Sequence, residues 1–178
     1  MYLEDICEKY NIKNYSELEK TGLAVGMDPE FVEKINSLNN YFNVLNLDFT
    51  KDITVTEGQF DSLFIENCTA TTGVTKSKKM LEDLTQKQKT RILFDNDEAG
   101  LTHSIELLKK GYRVFMWASV TQYLKKTYPQ KIKSIKNIKD INDLFIFIKS
   151  MDKELDYKKF NSIIDSHFTS SQFDMLML

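Results

Sequence analysis

Arg91-Ile92-Leu93-Phe94-Asp95-Asn96-Asp97-Glu98-Ala99-Gly100 is the stretch whose reading decides the fold. A short apolar run, Ile92-Leu-Phe94, stops abruptly at two carboxylates one residue apart. Strands buried on both faces of a parallel sheet read as nearly continuous apolar runs, and this run fits that pattern. Residues 98–110 follow with helical spacing, Ile105 and Leu108 on the apolar face, and Gly111 as the stop. Residues 112–117 then read as the next strand. Strand, acidic turn, helix and strand in that order make a βαβ unit.

The pattern extends in both directions. Upstream, Ile53-Thr-Val-Thr56 is a short β-rich run, and residues 60–65 can begin a helix. Residues 69–72 are β-prone and close on Gly73. Residues 76–89 read as a helix with Met80, Leu81 and Leu84 inward. Downstream, residues 142–151 and 157–168 are further helix candidates, the second forming a C-terminal helix. The first fifty residues form an N-terminal helical segment. Ser16 and Glu19 suit a capping box, Asp28-Pro29 suits a helix start, and Phe31, Ile35, Leu38 and Phe42 recur at helical spacing. The expectation is an α/β fold with a mainly parallel sheet flanked by helices, divided as 1–50, 51–150 and 151–178.

Composition sets outer limits. The 178 residues are 42% hydrophobic and 28% charged, an ordinary globular balance. Cys7 and Cys68, the only two cysteines, cannot build a four-cysteine zinc site. They read as small core hydrophobes, and His103 as a surface or satisfied histidine. No apolar run approaches the ~18 residues of a membrane span, and no signal peptide opens the chain, so a cytoplasmic setting is expected. The net charge of −2 conceals an asymmetry. Residues 1–62 carry twelve acids and five bases, whereas residues 107–139 carry nine bases and no acid. That stretch reads either as a solvated lysine-rich surface or as a nucleic-acid track.

The acids sit where chemistry is expected. Glu57 directly follows the first strand, as Asp95 and Asp97 follow the later one. In an open parallel sheet, ligands bind beyond the carboxyl ends of the strands. Oxygen donors without neighbouring His or Cys favour a hard cation, Mg²⁺ or Mn²⁺. The alternative is that these acids cap helices, Asp97 as an N-cap and Glu98 in the first turn. Gly58 and Gly100 beside the acids allow close backbone approach.

These residues resemble the Toprim domain, a Rossmann-like catalytic fold shared by bacterial-type primases, topoisomerases and several nucleases. The matching pieces are Glu57-Gly-Gln-Phe-Asp61-Ser-Leu63, Thr71-Thr-Gly73-Val-Thr75 and Phe94-Asp95-Asn-Asp97-Glu-Ala-Gly100. Lys110-Gly-Tyr-Arg-Val114 and Lys139-Asp140-Ile-Asn-Asp143-Leu144 are similar to segments of bacterial and phage primases and the primase–helicase group. The ordered set is specific where each piece alone is weak. The resemblance implies that Glu57, Asp95 and Asp97 are catalytic and hold metal. It implies that Asp61 and Asp140 add carboxylates to that centre, and Asp143 matches less closely. It also implies two-metal nucleotidyl transfer, with Glu57 as the candidate general acid/base and Lys76, Lys78 and Lys139 binding phosphate or template. The implied partners are a single-stranded DNA template and nucleoside triphosphates, with a replicative helicase or zinc-module protein beside them, in a bacterial or phage-infected cell. The sequence departs from the pattern at Leu101, where many relatives have a basic residue. It also lacks the cysteines of the primase zinc module. A minimal or split primase subunit, a fragment, a Toprim nuclease and a non-catalytic replisome module all remain open. The Gln172-Phe-Asp-Met-Leu176 tail faintly resembles a sliding-clamp-binding peptide, with packing on its own domain the plainer expectation.

Overall fold

The computed structural model describes residues 8, 11–14, 16, 17, 41–71, 87 and 89–177. The helix expected at 76–89, Gly73, Lys76, Lys78, Cys7, Glu19, and the stripe of Phe31, Ile35 and Leu38 lie outside them. The chain divides into two compact units, residues 1–90 and 91–178.

Among the described residues, five strands make one sheet in the order β2-β1-β3-β4-β5. In the first unit, β1 (Ile53–Thr56) and β2 (Cys68–Ala70) pair in parallel, with Val55 opposite Thr69. Every residue of both strands is buried, as expected of strands covered on two faces. The one-turn helix α1 (Gln59–Ser62) connects out of β1. It is shorter than the helix expected over 60–65. The chain instead turns at Asn67, whose φ of 50° lies in the left-handed region that Asn tolerates. Its side-chain Nδ2 donates to the carbonyls of Asp48 and Asp52 and its Oδ1 accepts from the Asp48 amide, which fixes the entry to β2.

In the second unit, which takes in all of β3 (Thr90–Leu93) but its first residue, β3 and β4 (Arg113–Phe115) are parallel, with Ile92 opposite Val114. Helix α2 (Glu98–Lys109) joins them, and Gly111 at φ 92° ends it. Its buried stripe is Gly100, Ser104, Leu107 and Leu108, with Ile105 half-buried. The expected inward pair was Ile105 and Leu108, so the stripe is rotated toward Ser104 and Leu107. After β4 come α3 (Trp117–Thr127), a 3₁₀ turn (Pro129–Lys131), α4 (Ile132–Ile135), α5 (Ile141–Met151) and α6 (Tyr157–Asp165).

Two expectations for this unit are corrected. The strand expected over 112–117 ends at Phe115, and Trp117 opens α3. A three-residue strand already spans the pairing that β3 offers, and the Trp117 indole N–H donates to the Phe94 carbonyl at 2.8 Å. The helix expected to reach residue 168 stops at Asp165, and Phe168–Thr169 form β5, antiparallel to β4. The edge of β4 supplies partners that no helical pattern anticipates. Arg91, buried on β3, reaches the Asp165 carboxylate at 2.5 Å and lies 4.9 Å over the Phe168 ring, tying this end of the unit to the sheet. The tail forms a 3₁₀ turn (Gln172–Met177) alongside α2, its start fixed by a 2.6 Å bond from the Thr169 hydroxyl to Asp174.

Candidate metal and substrate site

Three helices of the second unit begin on an aspartate in extended conformation. Asp97, Asp140 and Asp156 each accept, through Oδ1, the amide of the residue three positions on: Gly100 at 2.8 Å, Asp143 at 2.7 Å and Lys159 at 2.7 Å. Each satisfies an amide left without a partner by helix geometry. Capping therefore accounts for one oxygen of Asp97 and one of Asp140, and the other oxygen of each is left for a ligand. Asp143 completes a reciprocal arrangement, since its Oδ2 accepts the Lys139 amide at 3.1 Å.

Asp95 sits half-buried two residues after β3 ends at Leu93. The backbone of α2 presses on it. A Cβ built at Gly100 would overlap the Asp95 carbonyl oxygen and lie 3.0 Å from the Asp95 amide nitrogen. Only glycine permits that approach, and the approach sets the position of Asp95 against the helix start. Between the two acids, Asn96 faces the other way. Its amide donates to the Lys139 carbonyl at 2.6 Å, and its Nδ2 donates to the Ile138 carbonyl at 2.8 Å. The loop carrying Asp95 and Asp97 is thereby joined to the loop carrying Lys139 and Asp140.

These groups border a cleft of about 310 Å³, lined by Asp95, Asn96, Asp97, Glu98, Leu101, Ser104, Phe115 and Trp117. The lining combines carboxylates with Leu101, which is exposed, and an aromatic wall, the Phe115–Trp117 pair, packed edge to face with centroids 5.1 Å apart. Sequence reasoning missed Trp117. A tryptophan assigned to a strand gives no sign of lining a cleft until the helix beginning at that residue is known. Behind this wall, the His167 ring meets Phe115 edge-on at 6.3 Å and accepts or donates at Nδ1 with the Ser119 hydroxyl at 2.9 Å. Burial holds the His167 imidazole below its ordinary pKa. His103 is satisfied as expected, its Nδ1 on the Ala99 carbonyl at 2.9 Å.

In the first unit, Glu57 follows β1 and is half-buried, with Oε1 shielded from solvent. The turn is held by the Thr56 hydroxyl, which donates to the Gly58 carbonyl at 3.0 Å. Asp61, buried on α1, folds back over this turn, so that a side chain at position 58 would strike its Oδ2. Gly58 thus makes room for a second carboxylate beside the Glu57 turn.

Among the described residues, no group of three or more His, Cys, Asp or Glu is placed to hold one metal ion. The donor chemistry nevertheless suits a hard cation, because Asp95, Asp97 and Glu98 offer only oxygen. Mg²⁺ commonly takes one or two carboxylates and completes its shell with water and substrate phosphate. Among the described residues, no helix is long and apolar enough to cross a membrane. A family model described as Toprim-like matches residues 54–145, just over half of the chain. No curated protein matches it.

Proposed function

The chain belongs to the Toprim-like family, whose domains carry out metal-dependent processing of nucleic acids, and within it we propose a primase-type nucleotidyltransferase that makes RNA primers on single-stranded DNA. The observation that carries this reading is the Asp95–Asp97 cleft, whose lining combines carboxylates with aromatic and apolar side chains. That combination suits a nucleoside triphosphate, with its cation-bound phosphates toward the carboxylates and its base against Leu101 and Trp117.

In this proposal Asp95 and Asp97 hold the metal together with Glu57, and Asp61 and Asp140 add carboxylates. Lys76, Lys78 and Lys139 bind phosphate or template. A bound Mg²⁺ or Mn²⁺ would neutralise the phosphates and stabilise attacking and leaving oxygens in an in-line displacement. The chain's own residues do the rest. Gly100 sets Asp95 against the helix, the cap on α2 orients Asp97, and Asn96 fixes both relative to Lys139. Glu57 is the proposed general acid/base for the primer 3′-hydroxyl.

The test is primer synthesis from nucleoside triphosphates on single-stranded DNA, with Mg²⁺ or Mn²⁺, alone and with a replicative helicase or zinc-module protein added. Wild type makes oligonucleotides, and Asp95→Ala loses about 10²-fold or more of that rate. Mn²⁺ binding followed by water relaxation weakens in the same variant. Equal synthesis by Asp95→Ala rejects the site. Cleavage of DNA or RNA without added nucleotides identifies a nuclease instead.

A further inference from the structure

Six lysines, Lys125, Lys126, Lys131, Lys133, Lys136 and Lys139, fall within fifteen residues, and all six are exposed. Val120, Leu124, Ile135 and Ile138 are buried beneath them and fix the segment to its unit. A run of backbone bonds stiffens it: Tyr128 to Leu124, Lys131 to Tyr128, Lys136 to Ile132 and Ile138 to Ile135. Elsewhere lysines find acids, as Lys51 does with Glu66 at 3.3 Å and Lys159 with Asp152 at 2.6 Å. Among the described residues, none of the six side chains is in an ion pair with a carboxylate, and residues 107–139 contain no acid at all. Concentrated positive charge without local neutralisation is the footprint of a polyanion site.

We propose that this surface is a track for the backbone of single-stranded nucleic acid, leading to the Asp95–Asp97 loop. Direction comes from Asn96, whose two bonds to Ile138 and Lys139 attach the end of the lysine segment to the acidic loop. A strand lying along the lysines is therefore delivered to the cleft. Preference for a single strand comes from Tyr123. Tyr123 is 36% exposed, its ring tilted against His167 at 5.6 Å, and it sits three residues before Lys126 on the same helix face, where its open part offers a stacking surface beside a phosphate contact. The use of the delivered strand rests on the primase reading, whereas the binding itself does not.

The experiment measures anisotropy of a labelled oligothymidylate on the full chain, in EDTA, across a salt series. Each phosphate contact contributes about −0.7 to the slope of log affinity against log salt for single strands. The triple variant Lys126→Gln, Lys133→Gln and Lys136→Gln is expected to shallow the slope by about 2 and to weaken binding at least about tenfold at 0.1 M salt. A control triple, Lys51→Gln, Lys153→Gln and Lys158→Gln, removes the same charge elsewhere and is expected to leave the slope unchanged. Equal effects of both triples, or none from either, overturn the track. Tighter binding of a duplex than of the single strand overturns the single-strand assignment. Binding through the track without primer synthesis sinks the primase reading alone, while synthesis undiminished in the track triple sinks the track alone.

Discussion

Asp97 is asked to do two things at once, and a pair of substitutions separates them. Its Oδ1 accepts the Gly100 amide at 2.8 Å as the N-cap of α2, and its second oxygen is proposed as a metal ligand. Asp97→Ser keeps a capping hydroxyl but removes the charge. The lost charge at the helix start costs about 0.3–1 kcal/mol. Asp97→Ala also loses the cap, for about 1 kcal/mol more. For a chain of this size unfolding as one unit, that difference is about 2–4 °C in melting temperature. Calorimetry should therefore rank wild type above Ser and Ser above Ala. Metal-dependent activity should fall in both variants by a similar factor, about 10²-fold, because neither retains a carboxylate. Serine activity within about twofold of wild type would show that Asp97 only caps, and equal melting of Ser and Ala would show that the cap is worth nothing.

Two other perturbations test the local architecture. Gly100→Ala places a methyl group against the backbone of Asp95, which cannot move aside as a side chain can, so a loss of about 1–3 kcal/mol is expected by chemical denaturation, with activity falling further than stability. A variant as stable and active as wild type would mean that the approach of α2 to Asp95 is not constrained. His167 tests burial behind the aromatic wall. Its folded pKa lies below the ordinary 6.5, so the unfolded chain binds the proton more readily and stability rises with pH. The contribution is present above about pH 6.5 and is lost as pH falls from there toward the lowered folded value. The denaturant midpoint should decline between about pH 7.5 and 5.5, and His167→Phe should flatten that decline. An unchanged slope in the variant would remove His167 as its cause.

Most of the fold was legible because its signals are short-range. Ile92-Leu-Phe94 and Ile53 to Thr56 read as buried strands from apolar or β-branched content alone. Gly111 marked the end of α2 because a positive φ requires a residue like it. Asp97 was visible both as a cap and as a ligand and the structure shows its cap directly, whereas Asp140 was marked only as a carboxylate by the family resemblance and its cap emerged from the structure. Helix α3 escaped notice because its buried stripe is only Val120 and Leu124, set among lysines and polar residues. Trp117 looked like the end of a strand because its neighbours on both sides are apolar.

The sequence by itself determined the order of strands, acidic turns and helices, and it determined which residues bring oxygen donors to the strand ends. Periodicity, capping and turn chemistry act within a few residues, so they can be read along the chain. Tertiary structure alone decided that β5 pairs with β4 rather than extending a helix, that Trp117 bonds back to Phe94, and that Asn96 reaches Lys139. Those outcomes depend on which sheet edge and which carbonyls are left to be satisfied once distant segments have packed. A buried or nearly buried polar group must then find whatever partner that packing provides, and the chain order does not encode which one.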